Sequence, residues 1–135
     1  MTLRGVVKQA AALFLPEPLM VLRGSIHSKR VALTFDDGPD DMTPKYLRQL
    51  DRLGMRATFF LIGDHVVRHR RHVLDLVAAG HEVLGHSYSH TKFTTMSADR
   101  MRREIQSTTA VLPLARRKAL RPPGGAFSAS TLIRT

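Results

Sequence analysis

The chain has 135 residues, 43% of them hydrophobic and 24% charged, which is the composition of one globular domain and excludes wholesale disorder. It contains no cysteine, so a disulfide scaffold and any thiolate metal site are excluded, while nothing follows about compartment. Twenty-one Lys and Arg against eleven Asp and Glu give a net charge of +10, which permits attraction to an acidic polymer without naming one.

The first stretch that could suggest a membrane is residues 6–22. Lys8, Gln9, Pro16, Glu17 and Pro18 interrupt it, so about 20 consecutive apolar residues are never assembled and no transmembrane segment is expected. The apolar run Ala10 to Leu15 is too short for a signal peptide, and no convincing cleavage site follows. Residues 1–29 therefore read as a peripheral N-terminal leader segment, and a cytoplasmic location is the default expectation.

From residue 30 onward, short apolar runs alternate with helical periodicity. Val31 to Phe35 predicts a buried strand. Thr43 as a cap and Pro44 at the first helical position open a helix whose inward face is Leu47, Leu50 and Leu53, with Gly54 ending it. Ala57 to Ile62 is an unbroken apolar run suited to a strand covered on both faces. A second helix is predicted from Asp64 to Ala79, with Val66, Val67, Val73, Leu74 and Val77 inward and Gly80 as its stop. Glu82 to Leu84 predicts a third strand. Ser97 caps a third helix carrying Met101, Ile105 and Leu112, ended by Pro113. Ala119 to Arg121 predicts a fourth strand, and a last helix is expected to begin after Ser128. Repetition of β-α implies an α/β fold with a parallel sheet and outer helices, and right-handed crossovers bring every strand's C-terminal end to one rim.

Three polar clusters stand directly after strands, where such sheets place their reactive residues. Asp36 and Asp37 are adjacent, and they belong to a short segment, with Asp40 and Asp41, that holds four of the eleven acids. Neighbouring side chains at a strand end point apart, so one carboxylate can bind a metal while the other acts as a base. Taken alone, Asp36-Asp37-Gly38-Pro39 reads first as a capping residue and a sharp turn. His86 and His90 are four apart and can converge on one ion from a helix or a tight loop. His65, His69 and His72 have similar spacing, but Arg68, Arg70 and Arg71 lie among them, so they read as a solvated helix face. Arg121-Pro122-Pro123-Gly124-Gly125 gives a stiffened loop, backbone N–H groups open to a ligand, and a guanidinium for a carboxylate. One carboxylate and two imidazoles make an open divalent site. Zinc suits that donor set best, with cobalt, nickel or manganese accommodated by it.

In order and approximate spacing, Thr34-Phe-Asp-Asp-Gly-Pro39, Ala57-Thr-Phe-Phe-Leu-Ile-Gly63, Gly80-His-Glu-Val83, His86-Ser-Tyr-Ser-His90 and Arg121-Pro-Pro-Gly-Gly125 resemble the polysaccharide deacetylase family, that is, the NodB-homology domain or carbohydrate esterase family 4. The resemblance spans residues 30–130. It implies a distorted (β/α) barrel and removal of acetyl groups from N-acetylated sugars. It further implies that Asp37, His86 and His90 hold the metal. Asp36 would take the proton of the attacking water, with Arg121 keeping it ionised and oriented. A backbone N–H near Gly124 would meet the oxyanion. The family often carries an aromatic residue at position 124, where glycine keeps the donor but removes a wall of the acetyl pocket. Leu84-Gly85 stands where the family commonly has an asparagine before the first histidine.

The family domain also continues through several more β-α units, which bring a further acidic motif and a Leu-x-His motif whose histidine protonates the departing amine. Residues 30–135 are therefore expected to be an incomplete domain, a barrel truncated after about four strands. His27, His65, His69, His72 and His81 lie in the wrong part of the chain to replace that acid. The expected function is metal-dependent deacetylation of an N-acetylated glycan, impaired by truncation. The alternative is a non-catalytic fragment that binds metal or glycan, and the open barrel edge invites self-association. Nucleic acid is not expected as a partner, because no binding module is recognisable and aromatics are only 6% of the chain.

Overall fold

The computed structural model describes residues 27, 29–112, 115 and 119–125. The chain divides into two compact units, Met1–Val31 and Ala32–Thr135, and the second holds every element named here. The leader segment, apart from residues 27 and 29, and the helix expected after Ser128 lie outside the described residues. Among the described residues, no helix is long and apolar enough to cross a membrane.

The second unit runs β1 (Thr34–Asp36), α1 (Thr43–Arg52), β2 (Thr58–Leu61), α2 (Gly63–Arg68), α3 (Arg70–Ala78), β3 (Glu82–Gly85) and α4 (Ala98–Val111). Single turns of 3₁₀ helix lie at Phe93–Thr95, between β3 and α4, and at Pro123–Gly125, after α4. The strands form a parallel sheet in the order β1-β2-β3, with Phe35 opposite Phe59 and Phe59 opposite Val83. The expected α/β architecture, parallel strands with helices outside, is the one observed.

Alternation splits the sheet into two unlike faces. Phe59, Leu61 and Val83 lie on one face and pack with Leu50, Val66, Val73, Leu76 and Leu112 as the buried core, joined by the half-buried Phe35 and Leu47. Phe35 stacks on Phe59 with ring centroids 4.9 Å apart. Each fully buried side chain of this kind contributes about 1.5–3 kcal/mol, which is why the apolar runs condense here. On the other face, Thr34 and Asp36 are exposed, and Thr58, Phe60 and Glu82 are half-buried. Thr58 Oγ1 donates across it to Glu82 Oε2 at 2.9 Å.

Several elements depart from the sequence reading. The first strand is shorter, because pairing with β2 begins at Thr34 and Val31 is 94% exposed. Thr43 is the first residue of α1 and not its cap: Met42 holds the N-cap position without a side-chain bond, and just before it Asp40 Oδ1 accepts from the N–H groups of Met42 and Thr43 at 2.9 and 3.0 Å. Leu53 falls beyond the last helical residue and is 67% exposed. The single helix expected over 64–79 is two, broken at His69 (φ −118°, ψ 40°). Between Val66 and Val73 no residue is buried, so nothing apolar holds the helix axis straight there. Val67 and Leu74 face outward, not inward.

The fourth strand reduces to one bridge, Gly85 with Leu120, held by Gly85 N–H to the Ala119 carbonyl and Arg121 N–H to the Gly85 carbonyl. Pro122 and Pro123 follow, and neither has an N–H to extend a ladder. The cap at Ser97 is as expected, accepting from Arg100 N–H at 3.3 Å.

Candidate functional site

The C-terminal ends of the three parallel strands share one rim, and the polar clusters meet there. Asp36 is the last residue of β1, on the face away from the core. Asp37 makes one more ladder bond, N–H to the Phe60 carbonyl at 3.1 Å, and then turns into the left-handed region at φ 76°. The adjacent carboxylates therefore go to different partners, as alternation requires. Asp36 Oδ1 accepts from Arg121 Nη1 at 2.6 Å, and that same nitrogen donates to Thr34 Oγ1 at 3.1 Å. The Arg121 guanidinium lies 3.8 Å from the centroid of the Phe60 ring, so it is held by charge and by stacking.

Asp37 faces the histidines. His90 Nε2 is 3.0 Å and His86 Nε2 3.3 Å from the same oxygen, Asp37 Oδ1. One ligand atom from each of Asp37, His86 and His90 can be chosen so that all lie within 4.8 Å of one another. The segment is not helical: Ser87 and His90 take φ 65° and 58°, and the two imidazoles converge from a loop with centroids 5.1 Å apart.

His86 is 3% exposed and its Nδ1 lies 2.7 Å from the Arg121 carbonyl. A carbonyl only accepts, so Nδ1 carries the proton and Nε2 presents a lone pair toward Asp37 Oδ1. Lone pair facing carboxylate is repulsive unless a positive centre stands between them. A second ring proton or a metal ion would serve, and two imidazole nitrogens with one carboxylate oxygen is a donor set that divalent zinc accepts.

The surroundings hold this loop closely. Its Ser87 and Tyr88 carbonyls accept from the first N–H groups of α2, Gly63 and Asp64, both at 3.0 Å. A Cβ on Gly63 would stand 2.5 Å from Tyr88 Cδ2, so only glycine admits this approach. Gly124, at φ 63°, sits in the loop after Arg121, where a Cβ would meet Lys92 Cε at 3.6 Å.

Two participants escaped the sequence reading. His65 is not simply part of a solvated face: its Nδ1 donates to the Asp37 carbonyl at 2.9 Å. The arginines around it disguised this, because only the turn at Asp37 brings that carbonyl to α2. Glu104, on α4, accepts from Tyr88 N–H, Ser89 N–H and Ser89 Oγ at 2.9, 2.8 and 2.7 Å. No signal along the chain ties it to a loop fifteen residues away.

The chain also matches known proteins. A family model described as polysaccharide deacetylase matches residues 23–134. A peptidoglycan-N-acetylglucosamine deacetylase of Bacillus cereus is 37% identical over 106 residues, covering 76% of this chain and 38% of that protein. The crystal structure of the Bc1960 peptidoglycan N-acetylglucosamine deacetylase superposes with a TM-score of 0.77 at 34% identity, over 82% of this chain and 53% of that one. A family 4 carbohydrate esterase from Streptomyces lividans, in complex with acetate, gives 0.73 at 34% identity, over 77% and 56%. The chain thus spans about half the length of these solved relatives, and less of the curated one. With the strand order, the rim clusters and these matches in agreement, the chain belongs to the polysaccharide deacetylase family.

Proposed function

We propose that this chain carries the metal- and base-bearing part of a deacetylase site that hydrolyses the acetamide of N-acetylated glycans. The observation that carries this reading is the convergence of Asp37, His86 and His90 beside an Asp36–Arg121 pair. Asp37, His86 and His90 would hold a divalent ion, zinc first, with cobalt, nickel or manganese as substitutes. Such an ion supplies a polarised acyl carbonyl and a water made acidic enough to ionise near neutral pH.

The chain's own residues supply the rest. Asp36, oriented by Arg121, takes the proton of the attacking water. The backbone N–H of Gly124 donates to the developing oxyanion. The relatives named above, peptidoglycan N-acetylglucosamine deacetylases, support an N-acetylated glycan as substrate. We take residues 30–135 as the deacetylase domain and 1–29 as its leader. None of His27, His65, His69, His72 and His81 is assigned as the acid that protonates the departing amine. Self-association through the outer edge of β1 belongs to the same reading.

The test is to add zinc or cobalt to the purified chain and measure metal affinity and acetate release from chito-oligosaccharides. The reading requires metal binding and acetate release that are both lost on Asp37→Ala or His90→Ala. Metal binding without any acetate reduces the chain to a binding fragment. No metal binding refutes the reading.

A further inference from the structure

The two candidate imidazole ligands are fixed by different means. His86 is buried, follows β3 directly, and has its own orienting partner in the Arg121 carbonyl. His90 is half exposed on a loop, and among the described residues its ring has no polar contact except Asp37. Whether its Nε2 reaches Asp37 is therefore decided by the backbone of residues 87–89. That backbone is left-handed at Ser87, which turns the Tyr88 and Ser89 N–H groups away from the sheet ladder. Both go to one oxygen of Glu104, Oε2, while the other oxygen, Oε1, accepts from Ser89 Oγ. A single carboxylate thus accepts from three donors between the two histidines, the Tyr88 and Ser89 N–H groups and the Ser89 hydroxyl, and it does so with charge-assisted bonds.

We propose that Glu104 is the positioning residue for His90: its carboxylate holds the 87–89 turn in the one conformation that delivers the second imidazole to Asp37. The role is separable from folding. Glu104 sits in the second turn of α4, whose buried anchors are Met101 and Thr108, and Thr108 Oγ1 bonds to the Glu104 carbonyl, not to its side chain. Alanine is at least as good a helix former as glutamate, so Glu104→Ala leaves α4 intact. Glutamine has one oxygen to accept both backbone N–H groups and an amide N–H to give to Ser89 Oγ. That hydroxyl can in turn donate to Thr91 Oγ1, 2.9 Å away.

This inference rests on the metal reading above, and calorimetric zinc titration of the full chain separates the two. Glu104→Ala is expected to weaken zinc binding by about 10–100-fold, with the far-ultraviolet circular dichroism unchanged at the titration temperature. Glu104→Gln is expected to stay within about threefold of the unmodified chain. If Glu104→Ala does not fold, Glu104→Asp, which keeps the charge but falls one methylene short, is expected to show a loss of about tenfold or more. Equal zinc affinity in the unmodified chain and the folded Ala or Asp variant overturns this inference alone. A Gln variant as weak as the Ala variant overturns the hydrogen-bond account of it. No zinc binding by the unmodified chain overturns both this inference and the metal reading.

Discussion

Arg121 meets the site twice, once through its side chain and once through its carbonyl, and the two can be separated. Its guanidinium pairs with Asp36 at 2.6 Å, reaches Thr34 and covers Phe60, while its carbonyl fixes the ring of His86. Arg121→Ala removes the first set and leaves the second. A charge-assisted hydrogen bond is worth about 1.5–3 kcal/mol. The two side chains are 36% and 38% exposed, however, and solvent screening reduces the pair to about 1 kcal/mol. The guanidinium–ring contact adds about 0.5–1 kcal/mol. The loss expected from urea unfolding is therefore about 1.5–2 kcal/mol, a fall in Tm on the order of 10 °C for a unit of this size. A double-mutant cycle with Asp36→Ala should return about 1 kcal/mol of coupling. Zinc affinity should stay within about threefold of the unmodified chain, because His86 keeps its carbonyl partner. A coupling near zero would show that the ion pair is only geometric. A tenfold loss of zinc binding would refute the division of labour between guanidinium and carbonyl.

Two further outcomes follow from the packing. His81 is buried, accepts the Ala57 N–H at Nδ1 at 3.2 Å, and its pKa is lowered, first by burial and then by Arg56, with Asp51 opposing. The unfolded chain then takes up this proton first, so stability is full above the usual histidine value of about 6.5 and falls as pH drops through it toward the lower folded value. Urea midpoints at pH 7.5 and 5.5 should differ less in His81→Asn than in the unmodified chain, and an equal difference would exclude His81 as the cause. Gly63→Ala places a methyl group 2.5 Å from Tyr88 Cδ2 and 3.1 Å from Tyr88 Cα, so it should cost about 1–3 kcal/mol and weaken zinc binding. Unchanged stability and affinity would show that the Tyr88 loop yields freely.

Much of the rim was legible because its signals are local. The Asp36-Asp37 pair, the His86 and His90 spacing and Arg121 each follow an apolar run, and parallel strands bring such positions together whatever the intervening sequence. The Ser97 cap and the stops at Gly54 and Gly80, both at positive φ, are likewise written within a few residues. What stayed hidden depends on neighbours distant in sequence. Periodicity placed Val67 and Leu74 with Val66 and Val73, but it says nothing of how wide the covering surface is, and both face outward. His65 gains its partner only because Asp37 turns its carbonyl toward α2, and Glu104 only because α4 passes beneath the Tyr88 turn. The fourth strand failed for a local reason that was in view: two successive prolines end the pairing after one bridge.

Asp37 and His90 both adopt left-handed backbone, at φ 76° and 58°, a region that costs a residue with a Cβ on the order of 1 kcal/mol and glycine almost nothing. Random drift to glycine at either position would therefore relax the fold while deleting a donor group. Selecting variants of this chain for heat tolerance alone would enrich sturdier proteins that have lost Asp37 or His90, so any such campaign needs a simultaneous check that both side chains are kept.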